Sequence, residues 1–295
     1  MTNDPVMTWQ SKVGFGTALP VTTQLEVLNF GLKNRKSIVR NAGLRGTRTN
    51  ISSGSAEGLE QTAGPVAIEC RPDVLAVLLE AILGGTKSGT TYPLGEFLTG
   101  YCWSADKVSK VHNYSSVFVN RATFQSSAGQ PLTLQLDLMG ISHAEANAGT
   151  FPAISGTLSV MSPFMHSDLV VEVDGTAYLT ERFQLVVDNR LQPFYRNSKT
   201  PSFIKPTDRQ ISTSIQFGYS VAELPLWALA TDGVAGTATY AYGDVSCAFA
   251  MEKMQLPYED PELANRQAEI MRLAQFMVRG ASPLSELVVT LDSTP

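Results

Sequence analysis

Charge is scarce in this chain of 295 residues: Asp, Glu, Lys and Arg make up 17%, against about 25% in an ordinary soluble domain. Apolar residues do not fill the gap, standing at 43%; Ser, Thr, Gly and Ala do. A charge-poor surface without excess apolarity suits a protein that rests largely against other protein, because charges are depleted at interface cores. Long hydrophobic runs are missing too. The longest, Val74 to Leu83, contains Glu80 and is far short of a membrane span. The three cysteines, Cys70, Cys102 and Cys247, lie far apart with no CxxC. That argues against a disulfide framework or zinc knuckle and fits a reducing cytoplasm. The start, MTNDPVMTWQ, has neither a basic stretch nor an apolar core, so no signal peptide is expected.

Catalytic signatures are also lacking. There is no HExxH and no G-x-S-x-G. Gly84-Gly85-Thr86-Lys87-Ser88 has P-loop letters but follows an apolar helix instead of joining a strand to one, so it reads as a helix stop. His112, His143 and His166 fall in three separate segments and read as packed or surface histidines. Glu172 and Asp174 share one strand face, as solvated acids do. No catalytic residue, cofactor or metal is expected, and no enzymatic activity.

What is present is mostly β texture. Short strands are expected at 25–30, 36–41 and 65–70. Arg71-Pro72-Asp73 then opens the run VLAVLLEAIL, closed by Gly84-Gly85: a helix with Leu75, Leu78, Leu79 and Ile82 on one face. Strands at 115–124 and 131–140 flank Ser126-Ser127-Ala128-Gly129, a hairpin signal, and Leu132, Leu134, Leu136 and Leu138 alternate with polar residues. Further strands are expected at 168–174 and 178–188, around the turn Asp174-Gly175. A Pro- and Ser-rich stretch (191–207), a strand at 210–217, a short helix at 221–230 and strands at 237–242, 245–254 and 284–291 complete the reading. The segment 261–279 has a helical pattern, with Leu263, Ile270, Leu273, Ala274 and Met277 on one face, but fits a strand from 269 onward as well.

The length allows two medium domains or one large one. The order strand, strand, irregular segment, strand, helix occurs at 25–83 and again at 168–230, which suggests two modules, 1–150 and 151–295. The first half carries 12 basic and 11 acidic residues (+1), the second 10 and 16 (−6).

Residues 31–50 hold Lys33, Arg35, Lys36, Arg40, Arg45 and Arg48 and no acid; SSGSAEGLEQTAG (52–64) follows, with Glu57 and Glu60. Such an arm, 41–64, has no apolar face of its own, and loops of this length are usually functional or disordered. It could grip a nucleic-acid backbone, be a plain solvated loop, or dock on a neighbouring subunit. The absence of aromatics between its basic residues speaks against nucleic acid. Arg40, Arg45, Arg48, Glu57 and Glu60 are the candidate inter-subunit residues.

The run IVRNAGLRGTRTNISSGSAEGLEQTAGPVAIECRPDVLAVLLEAILGG (38–85) resembles the first half of tail tube proteins of long-tailed bacteriophages. So do DLVVEVDGTAYLTERFQLVVDNRLQP (168–193) and, for the C-terminal end, Ser246–Leu256 with the final LVVTLDS. The resemblance implies a mainly β fold: β-sandwich or barrel modules, each flanked by a short helix. It implies rings that stack into a tube, a continuous β-barrel lining the lumen, and DNA passing through without specific binding. It implies an arm (41–64) that reaches between rings, and a strand at 269–278. The expected partners are copies of the chain, in trimeric pseudo-hexameric or hexameric rings, with tape-measure, tail terminator and baseplate proteins; no membrane is involved. The expected place is the virion tail, assembled in host cytoplasm. A tail terminator or connector, and a β-sandwich module binding carbohydrate or a cell surface, are the alternatives.

Overall fold

The computed structural model describes residues 12–19, 21, 23–40, 55–107, 110–147, 158–218, 233–256 and 271–293. Among them are nineteen strands and one α-helix. The first half contains β1 (Val13–Gly16), β2 (Thr23–Leu25), β3 (Val27–Phe30), β4 (Lys33–Arg40), β5 (Ser55–Glu69), α1 (Pro72–Leu83), β6 (Thr91–Pro93), β7 (Tyr101–Asp106), β8 (Lys110–Ser127) and β9 (Thr133–Asn147). The second contains β10 (Leu169–Val173), β11 (Thr176–Tyr178), β12 (Arg182–Asp188), β13 (Leu191–Phe194), β14 (Phe203–Pro206), β15 (Gln210–Gly218), β16 (Val234–Tyr242), β17 (Val245–Gln255), β18 (Met271–Arg279) and β19 (Leu287–Asp292). Seventeen strands join one antiparallel sheet that does not close into a barrel; β13 and β14 form a separate ribbon. The fold is mainly β and sandwich-like.

Period-two burial explains most strands. Leu134, Leu136 and Leu138 of β9, Phe183, Leu185 and Val187 of β12, and Val245, Cys247, Phe249 and Met251 of β17 are buried while their neighbours are not. Rings from the two layers meet in the core: Phe124 of β8 lies 5.0 Å from Phe249, and Phe183 lies 6.2 Å from Tyr240 of β16. Each such side chain contributes about 1.5–3 kcal/mol on burial. Helix α1 starts at Pro72 with Asp73 in its first turn and stops where Gly84 turns left-handed at φ 79°. All four residues of its expected face are buried.

The pairings of the two halves correspond. β1 pairs β2 and β7; β7 pairs β8, β8 pairs β9, β9 pairs β5, and β5 pairs β3 and β4. In the second half β10 pairs β11 and β16; β16 pairs β17, β17 pairs β18, β18 pairs β15, and β15 pairs β12. The two series run in the same chain order, with β12 of the second standing for both β3 and β4 of the first. The halves join where β12 pairs the end of β8, Arg182–Asp188 against Ser127–Arg121, and where β19 pairs β6. The boundary expected at 150 lies outside the described residues, as does the helix expected at 221–230.

Several expectations are corrected. The segment 55–64, read as part of an irregular arm, belongs to the fifteen-residue strand β5 and pairs with β4. The strand read at 25–30 is broken at Glu26, between β2 and β3. The stretch 191–207 holds the β13–β14 ribbon. The strand that the family resemblance implied at 269–278 is present over 271–279: Ala274, Phe276 and Val278 are buried in alternation and β15 pairs with Met271–Val278, so period two prevails over the local helical pattern.

Candidate assembly interface

β4 and β5 leave the body as a two-stranded ribbon. From Arg35 to Val39 every residue of β4 is exposed, on both faces. The exposed residues include large apolar ones: Ile38 at 71%, Val39 at 58% and Leu59 at 48%, with Leu28 of β3 at 58%. An isolated two-strand ribbon is marginal in water, and contiguous exposed apolar side chains mark interaction surfaces. Close packing brings its strands together: a side chain at Gly58 would strike Ser37, and one at Gly64 would strike the carbonyl of Gly31. Ser37 Oγ donates to the carbonyl of Leu59 at 3.0 Å beside the bulge between Lys36 and Ile38.

Three of the five candidate arm residues lie in described positions, and two of those make contacts within the chain. Glu60 holds Lys36 at 2.7 Å, and Glu57 holds Lys199 of the β13–β14 ribbon at 3.0 Å. Hydrogen bonds from these cations hold both carboxyls below their ordinary range, and the bond to Glu60 raises Lys36. Backbone contacts strengthen the seat: the Glu60 amide donates to the carbonyl of Lys199 at 2.7 Å, and Tyr195 donates its hydroxyl to the carbonyl of Glu60 at 3.1 Å. Arg40 closes β4 opposite Ser55. Arg45 and Arg48 lie outside the described residues.

The second feature is an open edge. β3 and β4 pair with β5 on one side, and no strand among the described residues pairs with the other. Their counterpart β12 has the same edge covered, by β8. An uncovered edge presents free backbone donors and acceptors, a template for another strand.

The third is the face of the sheet turned away from the core. Across β8, β12, β15 and β18 it carries Thr123, Gln125, Gln184, Ser212, Ser214 and Gln275, around a depression of about 190 Å³ that Arg121 also lines. Arg121 stands opposite Asp137 on β9 and Asp188 on β12. The face is mostly polar, with Val186 and Met277 its apolar members and the exposed Arg182 and Arg279 at its margins.

The candidates set aside in the sequence separate here. Gly84 caps α1, as the helix-stop reading requires, and Glu172 and Asp174 are exposed. His166 is buried, its Nε2 donating to the carbonyl of Thr180 at 2.9 Å and its Nδ1 2.8 Å from Ser126 Oγ. His112 and His143 do not stay apart: β8 and β9 bring His112 Nδ1 within 2.9 Å of His143 Nε2. The only sequence signal was the alternation His143-Ala144-Glu145, which puts two ligating groups on one strand face. Trp103 is buried at 1% exposure and offers no platform for a sugar; Trp9 and Trp227 lie outside the described residues. Cys70, Cys102 and Cys247 are buried free thiols, and burial pushes Cys70 and Cys247 far above the usual thiol range.

Residues 8–271 match the family described as Phage tail tube protein. No curated protein matches the chain.

Proposed function

The chain belongs to the phage tail tube protein family, and from that premise we propose that three copies close into a ring, that rings stack into a tube, and that DNA leaves the virion through its lumen. Family membership makes the chain a structural component of the virion tail. The number of chains, the stacking and the passage of DNA are the proposal, as is assembly in the host cytoplasm.

The observation that carries it is the unequal state of two corresponding edges. Within one chain, the end of β8 covers the edge strand β12 of the second half. The corresponding edge of the first half, β3–β4, is open, and the counterpart of β8 is β17. A second copy that lays a strand along the open β3–β4 edge makes a joint of the kind the chain already makes inside itself; β17, paired by β16 on one side and by β18 and β19 on the other, is not the strand that supplies it. Every joint then links one half to the next, and closure covers the β3–β4 edge of every chain. The corresponding pairings support two tandem modules, 1–150 and 151–295, so three chains give a pseudo-sixfold ring. The +1 and −6 halves alternate around it, which favours the correct register. The Ser-, Thr- and Gln-rich face then lines the hole. Such a face, with Arg182 and Arg279 at its margins, lets a duplex slide, because each unopposed cation adds a phosphate contact and hence friction. The exposed ribbon β4–β5, with the arm beyond it, is left to reach the neighbouring ring. Tape-measure, terminator and baseplate proteins then meet the tube at its bore and its ends.

Negative-stain microscopy of the purified chain, with mass measurement of single rings, tests this. Tubes built of three-chain rings are expected. Rings of six long chains would overturn the tandem arrangement. Single caps that never polymerise would favour a terminator, and a stable glycan-binding monomer would overturn the assembly reading altogether.

A further inference from the structure

The open end of the β8–β9 hairpin holds a group of side chains that tube assembly does not use. His112 of β8 stands directly opposite Glu145 of β9, and Tyr114 opposite His143. Strand alternation therefore puts His112, His143 and Glu145 on one face. One ligand atom from each lies within 4.8 Å of the others. His112 Nδ1 is 2.9 Å from His143 Nε2 and 3.9 Å from Glu145 Oε1. The two imidazole planes are 16° apart, and the ring of Tyr114 packs against His143 with centroids 5.0 Å apart.

We propose that His112, His143 and Glu145 bind a divalent transition-metal ion of the Zn²⁺ class. Two imidazoles and one carboxylate form a donor set known for zinc, with a further position open to water or another group. Zinc ligands at roughly 2.0–2.1 Å in a tetrahedron stand about 3.3 Å from one another. The separations of 2.9 and 3.9 Å bracket that value and no two of the three atoms are more than 4.8 Å apart, so rotation of the side chains, with the strands already in register, brings all three atoms onto an ion. Hard cations such as Mg²⁺ and Ca²⁺ prefer all-oxygen sites and do not suit two imidazoles.

The chemistry balances without loss of a proton from the rings. At 2.9 Å the two ring nitrogens share one hydrogen, carried by one and accepted by the other. On metal binding, the ring that carries it shifts to its other tautomer and both nitrogens offer lone pairs. Burial first, then the Lys107 ammonium for His112 and the neighbouring ring for His143, lower both histidines, which favours their neutral, ligating form. Access exists, because the His112 side chain is 18% exposed and that of Glu145 41%. The groups facing the site are Lys107, Lys110, Glu145 and, from the ribbon, Glu60. Lys110 grips Glu145 and so competes with the ion for the carboxylate. The consequence is mechanical: a metal there clamps the first residues of β8 to the last residues of β9, next to the place where the β4–β5 ribbon leaves the body.

The test uses the untagged full-length chain, stripped with a chelator and titrated calorimetrically with zinc chloride, with magnesium chloride as contrast. One zinc per chain is expected and no magnesium. His112→Asn, His143→Asn and Glu145→Gln should each weaken binding at least about tenfold. Lys110→Met should strengthen it, an opposite sign that a merely structural cluster does not produce. X-ray absorption at the zinc edge of the unaltered, zinc-loaded chain reads the ligands in any state of assembly and needs no variant to fold; two histidine nitrogens and no sulfur are expected. An absence of zinc uptake, sulfur ligation, or unchanged affinity in the His112→Asn/His143→Asn double variant would overturn the proposal.

Discussion

Asn189 donates its side-chain amide to the carbonyl of Ile82 at 3.2 Å, so the helix of the first half is capped by a residue of the second. The same amide reaches the carbonyl of Val119 at 3.0 Å, and its oxygen accepts from Arg209 Nε at 2.9 Å. Arg209 in turn donates to the carbonyl of Gly95 at 2.7 Å. The last carbonyls of a helix have no donors within it, and Asn189 is only 1% exposed. Asn189→Ala leaves buried acceptors and part of a guanidinium unpaired, and should lower stability by about 2–4 kcal/mol. Asn189→Asp keeps the acceptor for Arg209 but sets an oxygen against two carbonyls, and should also destabilise. Urea unfolding measures both; an Asp variant as stable as the parent would remove the capping role.

Ser126 is the centre of a second buried relay between the halves. The carbonyl of Thr180 can only accept, so His166 Nε2 carries the hydrogen and Nδ1 accepts from Ser126. Ser126 in turn accepts from the Tyr240 hydroxyl at 2.7 Å. Burial raises Tyr240 far above the usual phenol range, so the donor stays protonated. Ser126→Ala strands two buried partners and should cost about 1–3 kcal/mol, more than Tyr240→Phe, which removes a single donor. Thermal unfolding of the two variants ranks them, and the reverse order would disprove the relay.

How far the sequence could be read follows from what each residue touches. α1 was legible to its buried face because its packing shows as spacing along one helix. The β10–β11 turn was legible because Asp174 and Gly175 adopt φ of 51° and 73°, which few residue pairs tolerate. The strand at 55–64 was hidden because its inward residues, Gly58, Glu60 and Thr62, are not apolar while Leu59 faces out, so no hydrophobic alternation marks it. Residues 269–278 were ambiguous because Ala274 fits either period; the family resemblance favoured a strand where local pattern did not. The meeting of His112 with His143 depends on a strand register that spacing along the chain does not encode. The open edge, likewise, is defined only by which strands pair.

The histidine pair gives the fold a pH dependence with a definite sign. Both rings are lowered from their ordinary 6.5, chiefly by burial. Neutral rings are therefore favoured by the folded state, and their contribution is complete above pH 6.5. It is lost as pH falls from 6.5 through the lowered folded values. Glu145, lowered by its bond to Lys110, acts only in the more acidic carboxylate window below 4.5. Without added metal, the urea midpoint should drop between pH 7.5 and 5.5, and the drop should shrink in a His112→Asn/His143→Asn variant. An equal drop in the variant would assign the effect elsewhere.

Assembly should fail before folding does when charge is placed on the open edge or the ribbon. Leu28 and Ile38 are 58% and 71% exposed, so a lysine at either position fills no core and leaves no cavity. Surface changes of this kind usually move stability by less than about 0.5 kcal/mol. A lysine on an edge strand does oppose pairing with a second strand, because its ammonium must be desolvated when the edge is covered. Leu28→Lys on β3 should therefore block ring closure, leaving open oligomers or single chains. Ile38→Lys, on the outer part of β4 beyond Asn34 where the ribbon has left the edge that β3 and the start of β4 form, should leave rings intact and shorten the tubes, since the ribbon is proposed to act between rings. Sedimentation and negative-stain imaging separate the two outcomes, with unfolding curves as the control. Normal tubes from both variants would exclude β3 and the ribbon from assembly, and identical defects would mean that the edge and the ribbon serve one and the same contact.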